Sequence, residues 1–233
     1  MRSRLLPVVT LLVLSLASPG FADLTIDNFE EGAFSFTGGN APTNQFQTAL
    51  NPANTLGAQR SETIRSLAAG ETVSAVLTLG PGDDSVDYTS AASGGSFSTA
   101  YNDFGLPTLD LTDGGTADRI EVDLNQADVG GTVKLELLDE FFGTASPSLP
   151  IIGPGTYTFP FSGISGVDMS RIQVLQVDLD TAGPGHLRII HVRAASAAIP
   201  GVPTLSPPLL VLCALLLLGA AAYMLAGARR SVD

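Results

Sequence analysis

The stretch Gly80-Pro-Gly-Asp-Asp-Ser-Val-Asp87 places the carboxylates of Asp83, Asp84 and Asp87 close together behind a Gly-Pro-Gly turn. Carboxylates in a tight turn suit calcium, a hard cation that takes oxygen ligands from side chains and backbone carbonyls. Asp113, beside Gly114-Gly115 in the run from Asp110 to Asp118, marks a second acidic turn. Neither run has the spacing of an EF-hand loop, so a solvated acidic turn competes with a calcium site at both.

Nucleophilic chemistry has fewer options. His186 and His191 are the only imidazoles, so any Ser-His-Asp or Cys-His arrangement would recruit one of them. Five positions apart on one strand, they are expected on opposite faces and so cannot share a metal. His186 reads as a turn residue and His191 as a partly exposed strand residue. No Gly-x-Ser-x-Gly elbow, phosphate loop or His-Glu-x-x-His helix is present in the sequence. Carboxylates are numerous enough for a glycosidase pair. That mechanism, however, works in a cleft that holds the sugar, and the chain has no Trp and only Tyr88, Tyr101 and Tyr157 before its last segment. A non-enzyme is therefore expected.

The elements that must position these residues are short strands. In Arg119-Ile-Glu-Val-Asp-Leu124, Ile120, Val122 and Leu124 share one face and the charged residues the other. A period of two means one buried and one wet face. Gly131-Thr-Val-Lys-Leu-Glu-Leu137 repeats the pattern, and the turn between predicts a hairpin or neighbouring places in one sheet. Further strands are predicted at Leu24–Phe29, Gln59–Leu67, Thr72–Leu79, Ser96–Tyr101, Thr156–Phe161, Ile172–Leu179 and Leu187–Val192, with a turn at Ala182–His186. Gly38–Leu56 and the proline-rich Phe142–Pro154 read as loops. Short strands without helices predict an all-β fold, a two-sheet sandwich of the jelly-roll kind.

The ends differ from the middle. Residues 1–22 carry Arg2 and Arg4, an apolar core from Leu5 to Ala17 and small Gly20 and Ala22, the layout of a secretory signal peptide cut before Asp23. Residues 23–193 form the exported domain, and residues 194–208 lose strand periodicity and gain small residues and prolines, as a linker does. Residues 209–228 are uncharged and long enough for one membrane span, and Arg229 and Arg230 in the tail 229–233 place that end in the cytoplasm. Between Asp23 and Pro200, 22 acidic residues face seven basic ones, a net charge of −15, which excludes nucleic acid as a partner. The one cysteine, Cys213, lies in the apolar run, so neither disulfides nor a multi-cysteine zinc site holds the exported domain.

Ile26-Asp27-Asn28-Phe29-Glu30, Leu56-Gly-Ala-Gln-Arg60, Leu109-Asp110-Leu111 with Gly114-Gly115, and Phe159-Pro-Phe-Ser162 ahead of Val167-Asp-Met-Ser-Arg-Ile172 resemble the galactose-binding-like jelly rolls of exported bacterial surface proteins. These share an architecture with carbohydrate-binding modules. The resemblance implies a structural calcium between the first and last strands, but Leu187–His191 supplies no acid for it and no ligands are carried over. Val202-Pro203-Thr204-Leu205-Ser206, the apolar run and Arg229-Arg230 resemble the IPTL-CTERM sorting domain, a relative of PEP-CTERM signals. Val202 stands where isoleucine is usual, and Pro207-Pro208 replace the acidic and aromatic residues that commonly follow. The resemblance implies an exosortase-like sorting protease of Gram-negative bacteria as a partner.

Together these features predict an exported protein, held in the inner membrane by a single span with its domain outside and displayed at the surface or released after processing. Its expected role is structural or adhesive in the envelope or matrix. A carbohydrate-binding module for polysaccharide, with or without structural calcium, is the second reading and a glycoside-active enzyme the third.

Overall fold

The structure, a computed structural model, describes residues 23–79, 84–102 and 107–196. The signal peptide, Val202 to Ser206, the apolar span, Arg229 and Arg230 lie outside the described residues. Among those described, no helix is long and apolar enough to cross a membrane.

Fourteen strands occur among the described residues: β1 (Leu24–Asp27), β2 (Phe34–Gly38), β3 (Thr43–Thr48), β4 (Gln59–Ser66), β5 (Val73–Thr78), β6 (Ser85–Ser90), β7 (Gly95–Tyr101), β8 (Arg119–Ala127), β9 (Gly131–Asp139), β10 (Thr144–Ala145), β11 (Ser148–Ile151), β12 (Gly155–Pro160), β13 (Ile172–Thr181) and β14 (Gly185–Ala195). They form two antiparallel seven-stranded sheets. Sheet A runs β12-β8-β14-β6-β5-β2 with β1 on β14, and sheet B runs β10-β9-β13-β7-β4-β3 with β11 on β9. The all-β sandwich expected from the alternating pattern is the observed architecture.

Alternation explains the core. Ile120, Val122 and Leu124 of β8 and Leu187, Ile189 and Val192 of β14 point in from sheet A, against Val133, Leu135 and Leu137 of β9 and Leu175, Val177 and Leu179 of β13 from sheet B, none more than 3% exposed. At the end of β13, Thr181 pairs with Gly95 on one side and Gly131 on the other. The glycine at 131 is required by close approach, since a Cβ there would lie 1.9 Å from the Asp180 carbonyl oxygen.

Three expectations are corrected. The strands Arg119–Ala127 and Gly131–Asp139 do not form a hairpin or share a sheet: the three-residue connection crosses the sandwich, putting β8 in sheet A and β9 in sheet B. The segments read as loops hold β3, β10 and β11, and residues 85–87 of the acidic stretch belong to β6. Finally, His186 and His191 occupy the same outer face of sheet A. The β14–β8 register shifts between Ile189 and His191, so β14 carries one extra residue there and the parity of every later side chain reverses.

Candidate functional site

Each sheet has one face in the core and one outside, and the two outer faces differ in kind. On sheet A the charges satisfy one another. Arg193 donates from Nε and Nη2 to Glu121 Oε2 at 2.9 and 2.5 Å and from Nη1 to Asp123 Oδ2 at 2.7 Å. Arg119 Nε donates to the other Glu121 oxygen at 2.6 Å, and Thr156 Oγ1 to Asp123 at 2.6 Å. Glu121, although mostly withdrawn from water, is held below its ordinary value because these guanidinium bonds outweigh the burial that opposes them. His191 Nδ1 lies 3.1 Å from Arg193 Nη1, and burial followed by the Arg193 charge holds its pKa down. The imidazole is thus an acceptor beside a cation rather than a poised base. His186, at the other end of β14, lies 3.1 Å from Thr89 Oγ1.

The residues singled out for calcium are divided. Asp83 lies outside the described residues, Asp84 immediately precedes β6, and Asp87 faces outward from β6 with its two oxygens accepting from Arg188 at 2.7 and 3.2 Å. Among the described residues no three His, Cys, Asp or Glu side chains converge as a metal site would require. In the second acidic turn Asp110 accepts from the Thr112 and Gly114 amides at 2.9 and 3.1 Å, and Asp113 from Thr116 Oγ1 at 2.8 Å, so these carboxylates close their own turn.

Sheet B presents a different outer face, because Ile64, Phe97, Leu179 and Val133 point inward and their neighbours must point out. The strand registers align Asn44, Thr63, Ser98, Asp178, Lys134 and Ser148 across six strands. At about 4.8 Å per strand this polar row is roughly 24 Å long. A parallel row holds Phe46, Ser61, Ala100, Gln176 and Glu136, and Asp180 lies between Ser96 and Thr132 in the next. Phe46 is 55% exposed.

One ammonium serves three carboxylates here. Lys134 bonds Glu136 along its own strand. Asp178, which points outward yet is only 7% exposed, accepts from Gln176 Nε2 at 2.6 Å. Burial raises the Asp178 carboxyl against the lowering effect of Ser98 and Gln176, and burial together with Asp178 raises Asp180. Beside these rows lies a shallow depression of about 290 Å3 lined by Glu136, Leu138, Thr144, Ser146, Val174 and Gln176. The face offers carboxylate and amide acceptors, hydroxyls, one ammonium, the exposed guanidinium of Arg65 in the row of Ser96 and Asp180, and one free aromatic ring, arranged in rows along an open surface.

A third polar cluster, also without a local motif, lies between the sheets: Arg60 of β4 meets Asp27 of β1 and Glu62 of β4, all fully buried. Two of the quoted sequence runs, those around Asp27 and Arg60, thus come together in space.

No family model and no curated protein matches the chain. Solved structures do. The family 11 carbohydrate-binding module of a cellulosomal cellulase of Clostridium thermocellum is similar at 14% identity over 76% of this chain and 95% of that one, with a TM-score of 0.39. A carbohydrate-binding module specific for non-crystalline cellulose is similar at 10% identity over 52% and 80%, with a TM-score of 0.35. An exo-β-agarase is similar at 11% identity over 57% of this chain and 23% of that one, with a TM-score of 0.38.

Proposed function

We propose that the sandwich is a non-catalytic module that binds polysaccharide across the outer face of sheet B. The observation that carries this reading is the row centred on Asp178, an outward-facing carboxylate kept from water at the middle of six aligned polar positions. A polyhydroxylated chain donates and accepts at regular intervals, and a row of carboxylate, hydroxyl and amide groups is its complement. Phe46 supplies an apolar ring on the same face for the C–H side of a sugar. On sheet A, by contrast, the carboxylates are already met by guanidinium groups.

Binding suits the geometry better than hydrolysis. Asp178, Asp180 and Glu136 lie side by side on one sheet surface, whereas glycosidase chemistry places two carboxyls on opposite sides of the scissile bond. Calorimetric titration of the full-length protein in mild detergent against a panel of polysaccharides tests the reading, and absence of heat with every glycan would defeat it.

The display role is a separate proposal. Export, membrane anchoring and an exosortase-like processing partner are supported by residues 1–22, Val202 to Ser206 and residues 209–230, whose sequence alone speaks for them. Intact mass of the mature protein from its own cell tests it: loss of Arg229 and Arg230 is expected, and a species retaining both would leave a plain anchor.

A further inference from the structure

Between the sheets, where water does not screen charge, one guanidinium faces two carboxyls. Arg60 Nη1 donates to both Asp27 oxygens at 2.9 and 2.7 Å, Nε to Glu62 Oε1 at 2.6 Å, and Nη2 to Gln47 Oε1 and the Glu31 carbonyl, each at 2.8 Å. The rings of Phe29 and Phe34 lie 5.3 and 5.9 Å from the guanidinium carbon. Asp27 Oδ1 also accepts from the Phe29 amide at 2.8 Å, so Asp27 is the better satisfied acid. Glu62 Oε2 has no hydrogen-bond partner, although Thr99 and Tyr101 stand on β7 directly across from Glu62 and Arg60. A buried carboxylate oxygen without a donor is costly, and one hydrogen on Glu62 Oε2 would remove the second negative charge that the single guanidinium must otherwise balance.

We propose that Glu62 is a proton-binding site of the folded protein: its free oxygen carries a hydrogen, and losing it sets a second negative charge against the single guanidinium and loosens the fastening of residues 27–32 to β4. The charged groups facing Glu62 are Arg60 on its own strand and Asp27 on β1. β7 contributes Thr99 and Tyr101, whose phenol burial pushes up; β3 contributes Gln45 and Gln47, and β2 the ring of Phe34. Burial, ahead of the opposing pull of Arg60, raises the Glu62 carboxyl from 4.5 to about 7. A folded value above the unfolded one means that stability is full below 4.5 and is lost as pH rises through about 7.

Glu62→Gln keeps the shape of the protonated acid and removes its titration. For the full-length protein, Tm is expected to fall between about pH 5 and about pH 8, and Glu62→Gln to match the wild type at the acid end and exceed it at the alkaline end. A wild-type Tm that does not fall in this window, or a variant that is lower by the same amount at both ends, would overturn the proposal. Infrared spectroscopy keeps it testable without a variant. In glutamate-labelled wild-type protein at about pH 6, where exposed glutamates are ionised, one protonated carboxyl band is expected, and its absence would equally overturn the assignment.

Discussion

The two outer faces of the sandwich are built from the same residue types and do opposite things with them. On sheet A, Glu121 and Asp123 sit 10% and 14% exposed with Arg193 between them, and Glu121 is held ionised below its ordinary range. On sheet B, Asp178 is at least as withdrawn, has neutral donors and an ammonium shared with Glu136, and is pushed up instead. A carboxylate met by guanidinium groups stabilises the fold; Asp178, met by Gln176 and a shared ammonium and raised by burial, costs the fold something instead. Under the proposed function, structure falls to one face and recognition to the other.

Substitutions can break or sharpen that contrast. Replacing Asp178 with Ala removes an acceptor from the middle of the row, so glycan affinity should fall by about 1.5–3 kcal/mol, tenfold or more, while the melting temperature holds or rises. Arg193→Ala should do the reverse, leaving affinity unchanged and lowering stability by about 1–2 kcal/mol in denaturant titration, after allowance for its partial exposure. Phe46→Ala should weaken binding by about 1 kcal/mol with no change in stability, because its ring stands in solvent in the free protein. Arg188→Ala, which breaks the half-exposed pair with Asp87, should cost about 0.5 kcal/mol of stability and disappear into the background at high salt.

The faces should also answer pH with opposite signs. Glu121, depressed when folded, contributes stability that is present above 4.5 and lost as pH falls through its folded value. Asp178 and Asp180, raised when folded, contribute stability that is full below 3.8 and lost as pH rises through theirs. Glu121→Gln should therefore blunt the acid-side fall in Tm, and Asp178→Asn the loss on raising pH. A shared direction of change in both variants would erase the distinction.

Much of the fold was legible in the amino-acid order. Alternation located β8, β9, β13 and β14 to within a few residues because their inward positions are mostly aliphatic, with Asp139 and Thr181 as polar exceptions at the strand ends. It missed β3, whose Thr-Asn-Gln-Phe-Gln-Thr has no apolar face, and β11, where Pro150 sits on an edge strand and donates to no ladder. The acids of 83–87 concealed β6 altogether, and β2 and β10 were not assigned either. Strand pairing was not legible either, since β8 and β9 are neighbours in sequence and lie in different sheets.

The candidate site was hidden for a related reason. Thr63, Ser98, Asp178 and Lys134 stand abreast only through three separate strand registers, and no local motif records that. The histidines misled because one extra residue in β14 reverses the parity on which their separation was argued. Arg60 and Glu62 could have been found: they share the parity of Ile64, and charged residues in phase with a core isoleucine are a sign of a buried pair.

The most direct measurement is calorimetric titration of the full-length protein, Asp178→Ala and Arg193→Ala against a polysaccharide panel. The account predicts that wild type and Arg193→Ala bind the same glycan with the same Kd and that Asp178→Ala binds it at least tenfold more weakly. No binding by the wild type, or equal losses in the two variants, would contradict it.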